Sequence, residues 1–138
     1  MSTAGVMILA PISVGELYDK ITILMLKMEH LTDEAQRANV SRELDALREL
    51  RTSSRLADSF EDLFGALLDV NRRLWHVEDE LRHLEARQDF GAPFVALARS
   101  VYVLNDERAV LKRQINLHSG SWLVEEKSYG AASAGVAG

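Results

Sequence analysis

The sequence predicts an all-α protein, an antiparallel helical bundle of about four helices that contains a coiled-coil hairpin. Two observations lead to this prediction. Apolar residues recur over long stretches with alternating gaps of three and four positions, the spacing that helices bury against one another. The chain has 138 residues, which suits one compact domain. We assign residues 1–129 to this single helical domain and expect residues 130–138, "GAASAGVAG", to form a disordered tail because their side chains are too small to pack.

The composition excludes several classes of function. Hydrophobic residues make up 47% of the chain and charged residues 27%, values typical of globular proteins. The formal net charge of −5 argues against general binding to nucleic acid or to anionic membranes, because both require a basic surface. The chain contains no cysteine, which excludes disulfides and thiolate metal sites.

The apolar stretch "VMILAPIS" near the start of the chain is not preceded by a basic residue, as a secretory signal would require. No apolar run approaches the roughly 20 residues that span a bilayer. We therefore expect a cytoplasmic protein without a membrane span. The same stretch is rich in β-forming residues and contains Pro11, so it suits a short edge strand or an extended arm. Pairing it with "SWLVEEKSY", residues 121–129, would give a short two-stranded β pair that joins the N- and C-terminal segments.

The first helix is predicted to begin at Ser13. The sequence "SVGE" forms a capping box in which the Ser13 hydroxyl accepts a backbone N–H and Glu16 reaches back to the start of the helix. The middle of this helix is apolar on nearly every side, so it requires cover from several neighbours. Its apolar stripe consists of Val14, Leu17, Ile21, Leu24, Met28 and Leu31.

A second, mostly polar helix is predicted from roughly Asp33 to Arg51. The third helix, from Phe60, has the clearest pattern, since the alternation continues for about thirty residues, or about 45 Å of helix. The sequence "QDFGAP" ends it. There we expect Gly91 to take a left-handed cap and Pro93 to lie in the first turn of the fourth helix.

The fourth helix carries apolar residues on several sides, so we expect it to lie at the centre of the bundle, covered on both flanks. Arg108 falls on its main apolar stripe. The short turn near Gly91 makes the third and fourth helices antiparallel neighbours, which places Arg108 opposite Leu74. A buried guanidinium without a partner would cost several kcal/mol, and we predict Glu78 as that partner.

Polar and aromatic residues of both helices surround this position. They are Asn71, Trp75, Glu78, Tyr102, Asn105, Arg108 and Lys112. Two interpretations are open. In the favoured one, carboxylate and amide groups satisfy the two cations, and the network fixes helix register or oligomeric state. In the other, the cluster is a hypothetical binding pocket for a small carboxylate or phosphate, with the cations as donors and the aromatic rings as a wall.

The sequence predicts no cofactor and no metal. "ELRH" gives Glu80 and His83 the Glu-x-x-His spacing of di-iron bundles, but that site needs a second such motif and two further glutamates, which cannot be placed. No Gly-rich phosphate loop or nucleophile elbow occurs. No catalytic residue is assigned, although Glu78 is the nearest candidate for a general acid or base.

Several longer stretches resemble a known family. "APISVGELYDKITILMLKMEHL", "LWHVEDELRHLEARQDFG" and "LARSVYVLNDERAVLKRQIN", followed by "VEEKSY", are similar to the domain-of-unknown-function family numbered 6165, and the resemblance runs from Ala10 to Tyr129. It implies a small, mostly helical bacterial protein and no particular activity. It also implies that "EEKSY" and six residues of the fourth helix belong to the family's pattern. These six are Arg99, Tyr102, Asn105, Asp106, Arg108 and Lys112.

The function we predict is a non-enzymatic module that associates with itself or with another cytoplasmic protein. We expect a homodimer, because the first and fourth helices carry more apolar surface than a lone four-helix domain covers. The alternative is an anion-binding bundle or a small enzyme that uses the cluster around Arg108 and Lys112. The first hypothesis requires Arg108 to be fully paired inside the protein, with no cavity beside it.

Overall fold

The computed structural model describes residues 5–56 and 58–127, and within these ranges the chain forms four helices and no strand. The helices are α1 (Val14–His30), α2 (Glu34–Ser53), α3 (Glu61–Ala86) and α4 (Ala92–Ser119). The prediction of an all-α protein with four helices is confirmed. Two stretches are expected to pair as strands, and their described residues, 6–13 and 121–127, form no β pair. The rest of "SWLVEEKSY" and the predicted tail lie outside the described residues.

Helix α1 begins where the sequence predicts, and it packs against all three other helices. Its N-cap is Ser13, whose Oγ accepts the backbone N–H of Glu16 at 3.0 Å. Four large side chains of α1 are at most 4% exposed and meet apolar residues of α2, α3 and α4 in the main core. Full burial of such a side chain stabilises the fold by about 1.5–3 kcal/mol. The core residues are Leu17, Tyr18, Ile21, Leu24, Val40, Leu44, Leu67 and Ile115.

Helices α3 and α4 pack side by side in opposite directions, as predicted. Their contact contains a second apolar cluster in which Val70, Leu74 and Leu104 are buried. An ion pair between Arg73 and Glu107, 3.5 Å apart, lies at the edge of the same contact. Residues at similar distances from the turn therefore face each other, which is the arrangement of an antiparallel helical hairpin.

The turn between α3 and α4 uses a different residue from the one predicted. The left-handed position is Gln88, with φ of 55°, while Gly91 has φ of −73° and serves as the N-cap of α4. The Asp89 N–H donates to the carbonyl oxygen of Leu84 at 2.9 Å, and the Gln88 N–H donates to that of Glu85 at 3.0 Å. This is the hydrogen-bond pattern of a Schellman motif. The prediction of a left-handed cap at Gly91 is wrong because α3 ends before it reaches that glycine.

One side of α4 carries large apolar side chains that the rest of the described chain leaves exposed. We call it the outer face of α4, and it consists of Val95, Tyr102, Val103, Val110 and Leu117, each 47–60% exposed. The expectation that α4 is covered on both flanks is therefore wrong for a single chain. Helix α1 occupies the central position instead, because it packs against all three other helices.

Candidate functional site

The side chain of Arg108 binds a carboxylate on α1 rather than one on α3. Its Nε donates to Oδ1 of Asp19 at 2.8 Å, and its Nη2 donates to Oδ2 of the same carboxylate. Asp19 is completely buried, whereas the Arg108 side chain is 29% exposed. The predicted partner, Glu78, is exposed and contributes only its negative charge at longer range. The prediction of a Glu78–Arg108 pair is wrong because α1 supplies a closer and better oriented carboxylate.

The buried Asp19 is held by groups from three helices. Besides the guanidinium from α4, Oδ1 accepts a hydrogen bond from Nδ2 of Asn71 on α3 at 2.9 Å. The second N–H of the same amide donates to Oγ1 of Thr22 at 2.8 Å, and the Thr22 hydroxyl donates to the Asp19 carbonyl oxygen at 2.7 Å. Because bonded partners surround this carboxylate, its burial does not leave an uncompensated charge.

Lys112 extends the same network along α4. Its Nζ donates to Oε2 of Glu16 at 2.7 Å and lies 3.9 Å from Oδ2 of Asp19. On the N-terminal side of Arg108, Oδ1 of Asn105 accepts a longer hydrogen bond, 3.4 Å, from Nη1 of Arg108. The Glu16 carboxylate, which the capping box would direct to the start of α1, thus binds a cation of α4. Two cations face two carboxylates across the α1–α4 contact.

The electrostatics of this cluster favour the charged state of Arg108. The hydrogen bond to Asp19 is the main cause that raises the pKa of Arg108, and it outweighs the opposing effect of burial. The negative charges of Asp19, Glu16 and Glu78 act in the same direction. Arg108 is therefore a cation at neutral pH.

The predicted cluster is only partly assembled. Asn71, Asn105, Arg108 and Lys112 take part in the network described above, but the two aromatic residues do not. Trp75 stacks on His30 near the end of α1, with ring centroids 4.7 Å apart and an angle of 15° between the rings. Tyr102 is 57% exposed on the outer face of α4. The aromatic wall expected for a binding pocket is therefore not formed by these residues.

A second polar contact joins the start of α1 to the end of α4, and the sequence analysis did not predict it. The Gly15 N–H donates to Oδ1 of Asn116 at 2.6 Å. Nδ2 of Asn116 and Oγ of Ser13 both donate to Oε1 of Glu125, at 3.1 and 2.9 Å. Ser13 and Asn116 are at most 2% exposed. The carboxylate of Glu125 thus completes the cap of α1 from a segment more than one hundred positions away.

Glu125 belongs to residues 121–127, which run back along α4. Within this segment Oε1 of Glu126 accepts a hydrogen bond from Arg113 at 3.0 Å, and Nζ of Lys127 donates to Asp106 at 2.9 Å. Ser121 accepts the backbone N–H of Val14 at 3.1 Å. The two ends of the domain therefore meet, as the predicted β pair would also require, but side-chain hydrogen bonds make the contact.

The hydrogen bonds at Glu125 affect its acidity. Burial acts to raise the pKa of this carboxyl, but hydrogen bonds from Ser13, from the backbone and from Asn116, together with the charge of Lys112, lower it by more. The net result is a pKa below the ordinary value of 4.5. The carboxylate is therefore ionised at neutral pH and keeps its acceptor role at the start of α1.

The close approach of α1 and α4 requires a glycine. A Cβ at Gly15 would lie 2.5 Å from the carbonyl oxygen of Lys112 and 2.9 Å from Oδ1 of Asn116. Real Cβ atoms essentially never come that close to a backbone oxygen. Gly15 thus sets the spacing of α1 and α4 at which the lysine and its carboxylate partners meet.

Two surface grooves of the described chain lie away from the Arg108 cluster. The larger one, about 720 Å³ and open to solvent, runs along the outer side of the α3–α4 contact and is not lined by Arg108 or Lys112.

Residues 5–56 and 58–127 contain no group of three or more histidine, aspartate or glutamate side chains that could hold a metal ion. No helix in these ranges is both long enough and apolar enough to cross a bilayer. Among the same residues, the only buried side-chain nitrogen or oxygen without a partner is Nε of Arg51, outside the Arg108 cluster.

The chain belongs to a family of unknown function, DUF6165, whose model matches residues 8–136. This confirms the family resemblance inferred from the sequence motifs. Comparisons with curated proteins and with solved structures gave no match.

Proposed function

We propose that this chain is a non-enzymatic interaction module of the cytoplasm that associates with a second copy of itself, and that the Arg108 cluster is a structural network within it. The observation that carries the proposal is the outer face of α4. Five large side chains on this face are 47–60% exposed in the single chain. Arg99, Asp106 and Arg113 lie between these apolar side chains along the helix. A group of large exposed apolar residues on one helix face marks an interaction site, because monomeric proteins rarely expose extended apolar patches. A two-fold homodimer is the commonest way to cover it.

The pairing of Arg108 supports a structural role for the polar cluster. Both the guanidinium and the ammonium of Lys112 already bind carboxylates of α1, at distances typical of strong charge-assisted hydrogen bonds. An incoming anion would have to displace Glu16 or the buried Asp19. The anion-binding alternative therefore requires the network to open first, which the proposed structural role does not.

The oligomeric state tests this proposal directly. Static light scattering after size exclusion, at micromolar concentration, should give twice the chain mass of 15.4 kDa. The variant Val110→Asp places a charge on the outer face and should give a monomer. Leu50→Asp is the matched control, because Leu50 on α2 is 43% exposed and lies off this face. A wild-type mass of one chain would overturn the proposal.

A second measurement separates the structural network from a binding pocket. Thermal unfolding of the wild type and of Arg108→Met would be followed with a panel of phosphates and carboxylates. We expect no anion to raise the melting temperature of the wild type specifically. A millimolar anion that stabilises the wild type and not Arg108→Met would support the binding alternative instead.

A further inference from the structure

Residues 5–12, which we call the arm, form an extended segment that stands away from the helices. Four consecutive large apolar side chains in it, Val6, Met7, Ile8 and Leu9, are 95%, 80%, 85% and 84% exposed. Pro11 follows them and keeps the backbone extended at this point. A single exposed apolar residue is ordinary, but four in succession form an apolar surface that favours burial against a partner.

The outer face of α4 offers an apolar surface of suitable length. Val103, Val110 and Leu117 recur every seven positions, so they form a nearly straight line along the helix. Successive members lie about 10 Å apart, since the rise is 1.5 Å per residue. Four extended residues cover about 13 Å, which is enough to contact two neighbouring members of the line. The arm contains no charged residue. Asp106 and Arg113, which flank the line on α4, already pair with Lys127 and Glu126, so the contact would bury no unpaired charge.

The arm of one chain does not reach this face on its own α4. It leads into α1 beside Gly15, whose N–H binds Asn116 on the side of α4 that packs against α1. Val110 is two positions from both Arg108 and Lys112, which bind α1, so it points about 160° away from each around the helix axis. The arm and the outer face of the same chain are thus separated by the body of α4, and both remain exposed.

We infer that the arm of one copy lies along the outer face of α4 in a second copy, and that the second copy returns the contact. This rests on the self-association proposed above and names the surfaces that perform it. A two-fold arrangement makes both contacts equivalent, so each copy contributes an arm and a receiving face. A stable dimer buries about 800 Å² per partner. Reciprocal exchange doubles the area that a single arm could bury and so brings the contact closer to that size.

The absence of cysteine from the chain makes a cross-linking test specific. The variants Ile8→Cys and Val110→Cys would be prepared separately, mixed, allowed to exchange subunits and treated with a short bismaleimide. We expect covalent dimers in the mixture and only traces of them in either variant alone. Ile8→Cys mixed with Glu43→Cys, on an exposed position of α2, is the control and should give no dimer above background.

Each other outcome has a defined meaning. Covalent dimers of Ile8→Cys alone would show that two arms pair with each other, and covalent dimers of Val110→Cys alone would show that two α4 helices meet directly. Either result overturns arm exchange. If the mixture of Ile8→Cys and Val110→Cys has the mass of a dimer but is not cross-linked, arm exchange is overturned and the proposal of self-association still holds. A wild-type chain that is monomeric removes both proposals.

A substitution in the arm supplies a second test that does not depend on cross-linking chemistry. Ile8→Asp should weaken dimerisation at least about tenfold, since it places a charge in the apolar contact. The variant should still fold, because Ile8 is 85% exposed in the single chain. Its circular dichroism spectrum should therefore match that of the wild type. An unchanged dimer dissociation constant would overturn the inference.

Discussion

The guanidinium of Arg108 and the carboxylate of Asp19 form a two-point hydrogen-bonded ion pair across the α1–α4 contact, between residues 89 positions apart. The carboxylate is completely buried, and the guanidinium closes the contact from its partly exposed side. Such a pair stabilises the fold mainly by preventing an uncompensated buried charge, since the cost of desolvation offsets much of the attraction. It also fixes how α1 and α4 are aligned, because a small shift along either helix would separate the two groups.

Removing the charge of Asp19 should strongly destabilise the protein. Asp19→Asn keeps the size of the side chain but leaves Arg108, whose side chain is only 29% exposed, without its main partner. Breaking one side of a buried ion pair costs about 3–5 kcal/mol. We expect a loss of this size in the free energy of unfolding, measured by urea denaturation followed by circular dichroism.

A surface ion pair provides the control for this variant. Glu29 accepts a hydrogen bond from Arg72 at 2.8 Å, but both side chains are more than a third exposed. Glu29→Gln should therefore cost no more than about 1 kcal/mol. Equal losses for the two variants would contradict the role assigned to Asp19.

A double-mutant cycle should show that the two charges act together. Arg108→Met alone leaves the buried Asp19 carboxylate with an amide and a distant ammonium, and Asp19→Asn alone leaves the guanidinium unpaired. The double variant removes both charges and leaves neither partner uncompensated. We expect it to be more stable than the sum of the single losses predicts, with a coupling of about 2–3 kcal/mol. Additive losses, within about 0.5 kcal/mol, would show that Arg108 and Asp19 are not an interacting pair.

The sequence predicts the hairpin well because a short turn determines its geometry. The turn between α3 and α4 fixes which residues of the two helices face each other, so the apolar cluster around Leu74 and Leu104 follows from the spacing alone. The same reasoning places Arg108 at a helix contact. It cannot choose the partner, because α1 is far away in the chain and no short connection sets its alignment with α4.

A signal for Asp19 was nevertheless present in the sequence. Gly15, Asp19, Thr22 and Leu26 follow the alternation of four and three positions beside the main stripe of α1, and all four are buried. A helix with two such lines is covered on two sides, and a carboxylate on the second line needs a cation from the helix that covers it. This pattern favours Asp19 over the more exposed Glu78 as the partner of Arg108.

The remaining differences have other physical causes. Trp75 belongs to the predicted cluster, but its ring stacks on His30, a contact between α3 and α1 that spacing within one hairpin does not reveal. Glu125 lies outside the helices, so no helical period relates it to Ser13. The apolar residues on the outer face of α4 predict burial, but they are exposed in the chain, because helical spacing alone does not show whether another element of the same chain covers a face.

Alanine substitutions at two helical glycines should have opposite effects on stability, because only Gly15 lies in the close contact of α1 with α4. Gly15→Ala places a Cβ 2.5 Å from the carbonyl oxygen of Lys112, so the helices must separate and strain the neighbouring ion pairs. We expect a loss of about 1–3 kcal/mol in the free energy of unfolding. Gly65, inside α3, has no atom within 4 Å of its added Cβ, so Gly65→Ala should stabilise the protein by about 0.5–1 kcal/mol. Thermal unfolding of both variants checks this, and a stabilising Gly15→Ala would contradict the close approach.

The carboxylate of Glu125 should make a contribution to stability that disappears in acid. Its pKa is below the ordinary value of 4.5, because hydrogen bonds from Ser13 and Asn116 and the charge of Lys112 outweigh the effect of burial. A carboxyl whose pKa is lower in the folded state stabilises the fold above its unfolded pKa, and this effect is lost as the pH falls through the folded value. The contribution should therefore be complete at pH 7 and absent well below pH 4.5.

Comparing the wild type with Glu125→Gln tests this dependence. Because Glu125 is largely exposed, solvent weakens the effect, and we expect the variant to melt on the order of 2 °C lower at pH 7. The two melting temperatures should converge as the pH is lowered to 3, since the wild-type carboxyl then becomes neutral like the amide. Glu43→Gln, an exposed carboxylate on α2, controls for the loss of one negative charge. A difference between wild type and Glu125→Gln that stays constant or grows in acid would show that the ionised carboxylate does not hold the start of α1.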